Sequence, residues 1–499
     1  MGAVSNWLAF AATLLVAFFL TPYMVGKLGD GPFGVWAFVE SLLAYFTLFD
    51  LGIAACVVRF VARFHATGDR DDLNRLISTA LALFIGLGLL LFAVGAMLLP
   101  AIIPSLERAE DVLGFALLML ANLAITLPLS LFPSILDGLE RFGLKSIVRI
   151  AILIVRTIGV IVVMEHRPSL WNLGVLFVAC NLVEHALFAV LSIRLLPAMR
   201  LSWRLVDRAT MTRVKVYSLH AFLAMVAGRT CVQSGAIIIG ILLGAAPVTH
   251  FALASRLIEF AKALLRTATN TLTPAVSSLE AAGEHESIRK MFLKGTRWVL
   301  YLILPVQIGL LIFGRPFLTL WLGDPIYAER SYPVLAILSA TLSLVIAQSV
   351  AARILYGIGK LKSFARAALL EAVANVLLSL LLASQIGLIG VAIGMAVPNL
   401  VMCFWVIAHT SRVLHVAMRR YFRETWRRPV LAAIVPATLW FSVSWPVNSW
   451  LGFAAMLGVG VVTFAITVLA LEGLLTRFVA TSCQLVGRRK RQASSLSPR

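Results

Sequence analysis

Apolar residues in this chain come in blocks of about twenty, each closed by a short polar or charged stretch. That length carries a helix across a hydrocarbon core roughly 30 Å thick. Fourteen such blocks can be read, at 7–25, 34–56, 76–99, 112–136, 147–164, 170–193, 216–243, 251–275, 298–322, 333–355, 364–383, 387–409, 430–447 and 450–472. Leu81–Leu99 and Leu369–Leu382 show no apolar–polar alternation of the kind a membrane β-strand needs, and read as apolar all round. The pattern predicts an all-α, polytopic membrane protein with about fourteen transmembrane helices.

Composition agrees: 60% of the 499 residues are hydrophobic and 13% are charged, where a soluble domain carries about 25% charged residues. The net charge of +20 matters through its distribution. Loops after odd-numbered blocks hold Lys27, Arg108, Arg167 and Arg330. Loops after even-numbered blocks are far richer. One holds Arg194, Arg200, Arg204, Arg208 and Arg213, another Arg419, Arg420, Arg423, Arg427 and Arg428. Basic loops stay in the cytoplasm, so both termini are expected inside. The excess cations are then a topology signal, and no nucleic-acid partner is expected.

Cys56, Cys180, Cys231, Cys403 and Cys483 lie in or beside apolar blocks, odd in number and without a CxxC pair, so neither a disulfide framework nor a metal site is expected. The first block begins near Met1 without a basic leader and reads as a retained signal anchor. No block of sequence is left for an extramembrane domain. The tail, 476–499, is Arg-rich and reads as disordered, with Arg488, Arg489, Lys490 and Arg491 placed to touch anionic lipid.

The chain also repeats itself. Slid by 215 residues, Leu28–Arg75 meets Leu243–Lys290: Gly29 falls on Gly244, Pro32 on Pro247, Gly68 on Gly283, Asp69 on Glu284 and Arg75 on Lys290. Further on, Ile135-Leu136-Asp137-Gly138 with Leu144-Lys145-Ser146 matches Ile354-Leu355-Tyr356-Gly357 with Leu361-Lys362-Ser363. An even number of spans separates equivalent points, which makes the repeat parallel, as in transporters that rock one half against the other. The domains expected are an N-lobe of six helices at 1–215, a C-lobe of six at 216–409, two further helices at 410–475 and the tail.

Ionised side chains at bilayer depth are costly unless they face water or a partner. The eighth block carries Arg256, Glu259, Lys262, Arg266 and Asn270 within one arc of a helix, opposite Leu257, Ile258, Ala261 and Leu265. Glu259 sits at helical spacing from both Arg256 and Lys262. Arg229 lies mid-block in the seventh. This set predicts an electropositive cavity for an anionic substrate, because arginine forks match phosphate oxygens. The competing reading is an ion-pair network between helices. Glu40, Asp50, Glu184 and His185 are candidates for a coupling ion; a buried pairing suits Glu40, Glu184 and His185 at least as well, and a topology or capping role suits Asp50 equally. Arg156 equally suits a carboxylate from another span. Pro22, Pro128, Pro133, Pro274 and Pro305 interrupt blocks and predict kinks.

Asn6-Trp7-Leu8, Thr21-Pro22-Tyr23, Leu28-Gly29-Asp30 with Phe33-Gly34-Val35-Trp36, Phe49-Asp50-Leu51-Gly52 and Arg59-Phe60-Val61-Ala62 resemble the amino-terminal signature of bacterial polysaccharide-transport flippases. Trp321-Leu322-Gly323 and Gly387-Leu388-Ile389-Gly390-Val391-Ala392 resemble later stretches of that group. The family sits in the multidrug/oligosaccharidyl-lipid/polysaccharide (MOP) flippase superfamily. It departs here in lacking a hydrophilic leader before Asn6. The resemblance implies two six-helix lobes around a central cavity, a multidrug-exporter-like fold. It also implies translocation of a polyprenyl-pyrophosphate-linked oligosaccharide across the bacterial inner membrane by alternating access, driven by an H+ or Na+ gradient and without a cofactor. Its partners would be the lipid-linked oligosaccharide, membrane lipids, and glycosyltransferases or a polymerase of the same pathway. An ion-coupled multidrug exporter of the same fold is the nearest alternative, although a cationic lining repels organic cations. A membrane-embedded glycosyltransferase or polymerase needs catalytic groups on a sizeable outer loop, and the outer loops are short; no catalytic residue is assigned.

Overall fold

A computed structural model of the chain describes residues 2–50, 52–103, 109–197, 199–207, 226, 228–442 and 449–473, leaving aside the side chains of 2–8, 49, 109–110, 264, 266–268, 270 and 361–362. The described backbone is helical throughout, with no strand among the described residues. The first half comprises α1 (Gly2–Leu28), α2 (Asp30–Phe46), α3 (Ile53–Thr67), α4 (Arg70–Ile102), α5 (Ala109–Leu129), α6 (Leu131–Gly138), α7 (Phe142–His166) and α8 (Leu170–Leu195). Then follow α9 (Gly228–Leu243), α10 (Ala245–Asn270), α11 (Leu272–Ala281), α12 (His285–Leu322), α13 (Pro325–Ala340), α14 (Leu342–Gly357) and α15 (Leu361–Val413). The chain continues with α16 (Met418–Thr425), α17 (Arg427–Ser442) and α18 (Trp450–Leu471).

Eight helical segments are long and apolar enough to cross a membrane on their own, nine with the α13–α14 pair, which bends by 41°. The other expected passes are the less regular ones. α15 has 53 residues, about 80 Å at 1.5 Å each, far more than one crossing uses. It breaks at Ile386 (φ −129°) and Gly387 (φ 60°), between the two expected blocks. The second block is α2 and α3 joined by a 3-10 turn at Thr47–Asp50. The described parts of α9 and α17 have 16 residues each, and α10–α11 is polar.

Proline explains some breaks and not others. Its ring clashes with the carbonyl four residues back. Pro133 and Pro274 would meet the carbonyls of Leu129 and Asn270, and α5 and α10 end at those residues. By contrast α1 runs through Pro22 and α12 through Pro305 and Pro316 without leaving the helix.

The repeat is present in the backbone, bond for bond. After α6, the amides of Leu139, Glu140 and Arg141 reach the carbonyls of Ile135, Asp137 and Leu136 at 2.9, 3.0 and 2.9 Å. After α14, those of Ile358, Gly359 and Lys360 reach Ile354, Tyr356 and Leu355 at 3.0, 3.3 and 3.0 Å. A Cβ on Gly138 would lie 2.8 Å from the Val61 side chain, and one on Gly357 2.6 Å from that of Val276. Val61 and Val276 are equivalent at the 215-residue offset, so the same helix crossing is closed by the same glycine–valine approach. Ser192 Oγ donates to Phe132 O at 3.1 Å, and its counterpart Thr410 Oγ1 donates to Ala351 O at 3.5 Å.

Packing divides the chain into two compact units: Met1–Ser255 with Ala365–Pro398, and Arg256–Phe364 with Asn399–Arg499. In the first unit, α7 packs on α1 and α8, and α5 on α4 and α8. In the second, α12 is the central mast, with α13, α14, α16, α17 and α18 around it. These units follow packing density, so their limits fall inside α10 and α15 rather than at the ends of the repeat.

Candidate functional site

The charged stripe lies on α10. Leu257, Ile258, Ala261 and Leu265 are buried on the packed side, whereas Arg256, Glu259 and Lys262 are half-exposed on the other. The helix is amphipathic in the sense the spacing predicted, with charge on its accessible edge. Lys262 Nζ donates to Glu259 Oε1 at 3.2 Å, so the acid neutralises the lysine one turn on. The side chains of Arg266 and Asn270 lie outside the described residues. Arg229, half-buried on α9, belongs to the first unit.

A second polar stripe escaped the sequence reading. Within the run read as apolar all round, Glu371, Asn375 and Ser379 recur every fourth residue of α15. Asn375 and Ser379 are fully buried. Ser234 Oγ of α9 donates to Asn375 Oδ1 at 3.1 Å, Ser379 Oγ donates to the Val391 carbonyl at 3.4 Å, and Glu371 lies within electrostatic reach of Cys231. The signal was the i, i+4, i+8 spacing, masked by the leucines between. These are hard oxygen donors, the chemistry that holds small cations. No group of three or more His, Cys, Asp or Glu converges among the described residues.

The other predicted charges find structural partners. Arg156 of α7 donates to Asn181 Oδ1 of α8 at 2.8 Å, lies 3.7 Å from Glu184, and stacks over the Phe177 ring at 5.1 Å. Arg149 approaches the same carboxylate at 3.9 Å. His185 Nδ1 is 2.8 Å from the Asn181 carbonyl of its own helix. The Asp50 carboxylate accepts the Ala54 amide at 3.1 Å and so caps the start of α3. Glu40 is exposed on α2.

Where the ends of α1, α2, α5, α8, α9 and α10 gather, a pocket of about 1120 Å³ opens, with Lys27, Asp111, Ser169 and Trp171 on its wall. Lys27 Nζ is held by Glu165 at 2.9 Å, and Tyr23 donates to the same carboxylate at 2.8 Å. Beside the pocket, Thr249 Oγ1 donates to the Asp30 carbonyl at 2.6 Å, and His250 Nε2 lies 3.6 Å from the Asp30 carboxylate.

In the second unit, Glu472 joins the last helices to α12. Its carboxylate accepts Tyr301 at 2.9 Å, Arg428 at 2.9 Å and Arg297 at 3.3 Å, and Arg297 Nε also donates to the Glu424 carbonyl at 2.7 Å. Burial pushes the Glu472 pKa up, but the Tyr301 and Arg428 hydrogen bonds and the two guanidinium charges outweigh it, leaving the carboxyl below its ordinary value.

Broken spans, a duplicated helical backbone and half-buried charge on several helices define a multi-pass membrane protein of the transporter class. The family model for the lipid II flippase MurJ matches residues 51–460, and the chain belongs to that family. The solved structure of lipid II flippase MurJ in an inward closed conformation superposes with a TM-score of 0.74, covering 96% of this chain and 99% of that one at 12% identity. An inward-facing multidrug resistance MATE family transporter of the MOP superfamily gives 0.70 over 80% and 94% at 14% identity. At such identities the likeness is one of fold. The uncharacterised membrane protein EpsK of Bacillus subtilis (strain 168) is 23% identical over 334 residues; the match spans 64% of each, under two thirds of that relative's length.

Proposed function

We propose that this chain flips a polyprenyl-pyrophosphate-linked oligosaccharide across the bacterial inner membrane for cell-surface polysaccharide synthesis. The lobes at 1–215 and 216–409 alternate access to a central cavity, with both termini in the cytoplasm and an H+ or Na+ gradient as the drive. The observation that carries the reading is the α10 edge: Arg256, Glu259 and Lys262 are accessible while the opposite face is packed. Arginine there would grip the pyrophosphate as the sugar passes. Glu40, Asp50, Glu184 and His185 are the candidates for the coupling ion, with Asp50 also capping α3 and Glu184 also facing Arg156. Membrane lipids surround the chain, and glycosyltransferases or a polymerase of the pathway would be its working partners.

The family match favours a second reading, in which the glycan is that of lipid II itself. Both substrates present a pyrophosphate to the same stripe, so the stripe suits either. Complementation separates them. Growth rescue of a strain depleted of its lipid II flippase supports the second reading, and restored surface polysaccharide in a strain lacking its oligosaccharide flippase supports the first. Rescue of neither, with drug resistance gained instead, would make the chain an exporter.

A further inference from the structure

Two contacts beside the 1120 Å³ pocket mirror one another. Slid by 215 residues, Asp30 falls on Ala245 and Gly34 on Thr249. Asp30 touches Thr249 through its carbonyl, and Gly34 touches Ala245, whose carbonyl oxygen fills the space a Cβ on Gly34 would need. Each position therefore meets the counterpart of the other, the mark of a contact lying on a two-fold axis. Here that axis relates the two halves of the duplicated chain. If those halves rock apart at this end, this contact must part.

One feature breaks the mirror. His250 is 3% exposed and faces the Asp30 carboxylate at 3.6 Å, whereas its counterpart Val35 carries no charge. We propose that Asp30 and His250 form a proton-binding latch that closes this end of the transport path. A neutral imidazole can offer the carboxylate only a ring N–H, whereas a protonated one adds the attraction of a full charge. Out of water that attraction is stronger than between two solvated side chains. The latch takes this attraction to outweigh the cost of burying the charged imidazole, so that closure is favoured as pH falls. The Thr249 hydroxyl fixes the Asp30 backbone and so the reach of its carboxylate. Among the described residues, the other charges lining the pocket are Lys27 of α1, held by Glu165 of α7, and Asp111 of α5, with His166 and Arg167 beside Glu165 at the end of α7. With this end on the non-cytoplasmic side, a proton from the more acidic side closes the chain behind its departed cargo. The latch rests on the alternating-access part of the proposed function and not on the identity of the substrate.

The test reads the gate directly and needs no substrate. Gly31→Cys and Ala246→Cys both line the pocket, one on α2 and one on α10, and the Gly31 position has open space for a side chain. Spin labels there, in full-length protein with its native cysteines replaced and in liposomes, give the closed and open populations by pulsed electron resonance. Between pH 8 and pH 6 the closed-to-open ratio should rise several-fold, about tenfold being the limit over the full titration for one unit of difference in proton affinity. His250→Gln and Asp30→Asn should each flatten the profile, and Asp111→Asn should leave it intact. An unchanged profile in His250→Gln, a flat profile in the parent, or opening at low pH would each overturn the latch. The flippase reading fails or stands by complementation alone, so the two failures are separable.

Discussion

The helix pair α7–α8 and the helix α10 both carry charge along their length, and they use it differently. In the pair, Arg156 meets an amide, a carboxylate and an aromatic ring, all from the neighbouring helix. On α10, Lys262 pairs with Glu259 of the same helix, and the stripe occupies the accessible edge opposite the packed one. A charge answered by the next helix fixes where that helix sits. A charge answered within its own helix leaves an edge that can meet a ligand. Composition does not distinguish these cases, and the partner does.

The sharpest way to break the comparison is to remove one charge from each. Arg256→Ala should lower flipping in proteoliposomes by about 10- to 100-fold, the range of one charge-assisted hydrogen bond, with a smaller loss of melting temperature than Arg156→Leu. Arg256→Lys should keep part of the activity, because charge survives and the fork does not. Arg156→Leu should do the reverse. It leaves Glu184 with the more distant Arg149 and Lys145 and should cost about 2–3 kcal/mol of stability, read as lower abundance and melting temperature at normal activity per folded molecule. Replacing Arg156 and Glu184 together by leucine should cost less than either alone. An Arg256→Ala protein that melts early while staying active would erase the distinction.

A smaller effect is expected where α12 meets the last helices. Tyr301→Phe removes one hydrogen bond to Glu472 and should cost about 1 kcal/mol. The native Glu472 carboxyl lies below its ordinary value of 4.5. Its contribution is therefore complete above that value and is lost as pH falls through the lower native one. Thermal melts between pH 7 and pH 3 should show an acid-side decline that Glu472→Gln diminishes; an identical decline in the variant would dismiss the network as a stabilising element.

Much of this could be read from residues alone. The fourteen blocks, the repeat and the α10 stripe all rest on periodicity, which a helix preserves in space. The misses have one cause: a residue's neighbour across helices is not written in its own spacing. For Asp50 and Glu184 the sequence offers capping and pairing beside coupling, and only the structure supplies the partners, the Ala54 amide and the Arg156 guanidinium. Glu371, Asn375 and Ser379 were hidden by the leucines around them, though their fourfold spacing was visible. Pro305 looks like Pro274 in sequence, yet α12 runs through one and α10 ends four residues before the other.

The smallest effect tests the duplication itself. After α6 and after α14 the chain makes the same three-bond turn, and both turns need a residue in the left-handed region. The second half places Gly359 there at φ 74°, and the first half places Glu140 at φ 58°. A side chain in that region costs about 1–2 kcal/mol, and glycine does not meet this penalty, although it also loses more freedom on folding. Glu140→Gly should therefore stabilise the first turn by about 1 kcal/mol, and Gly359→Glu should destabilise the second by a similar amount. Melting temperatures of the two variants should move in opposite directions. If both fall, the Glu140 side chain makes a contact worth more than its strain, and the turns are equivalent in hydrogen bonding but not in energy.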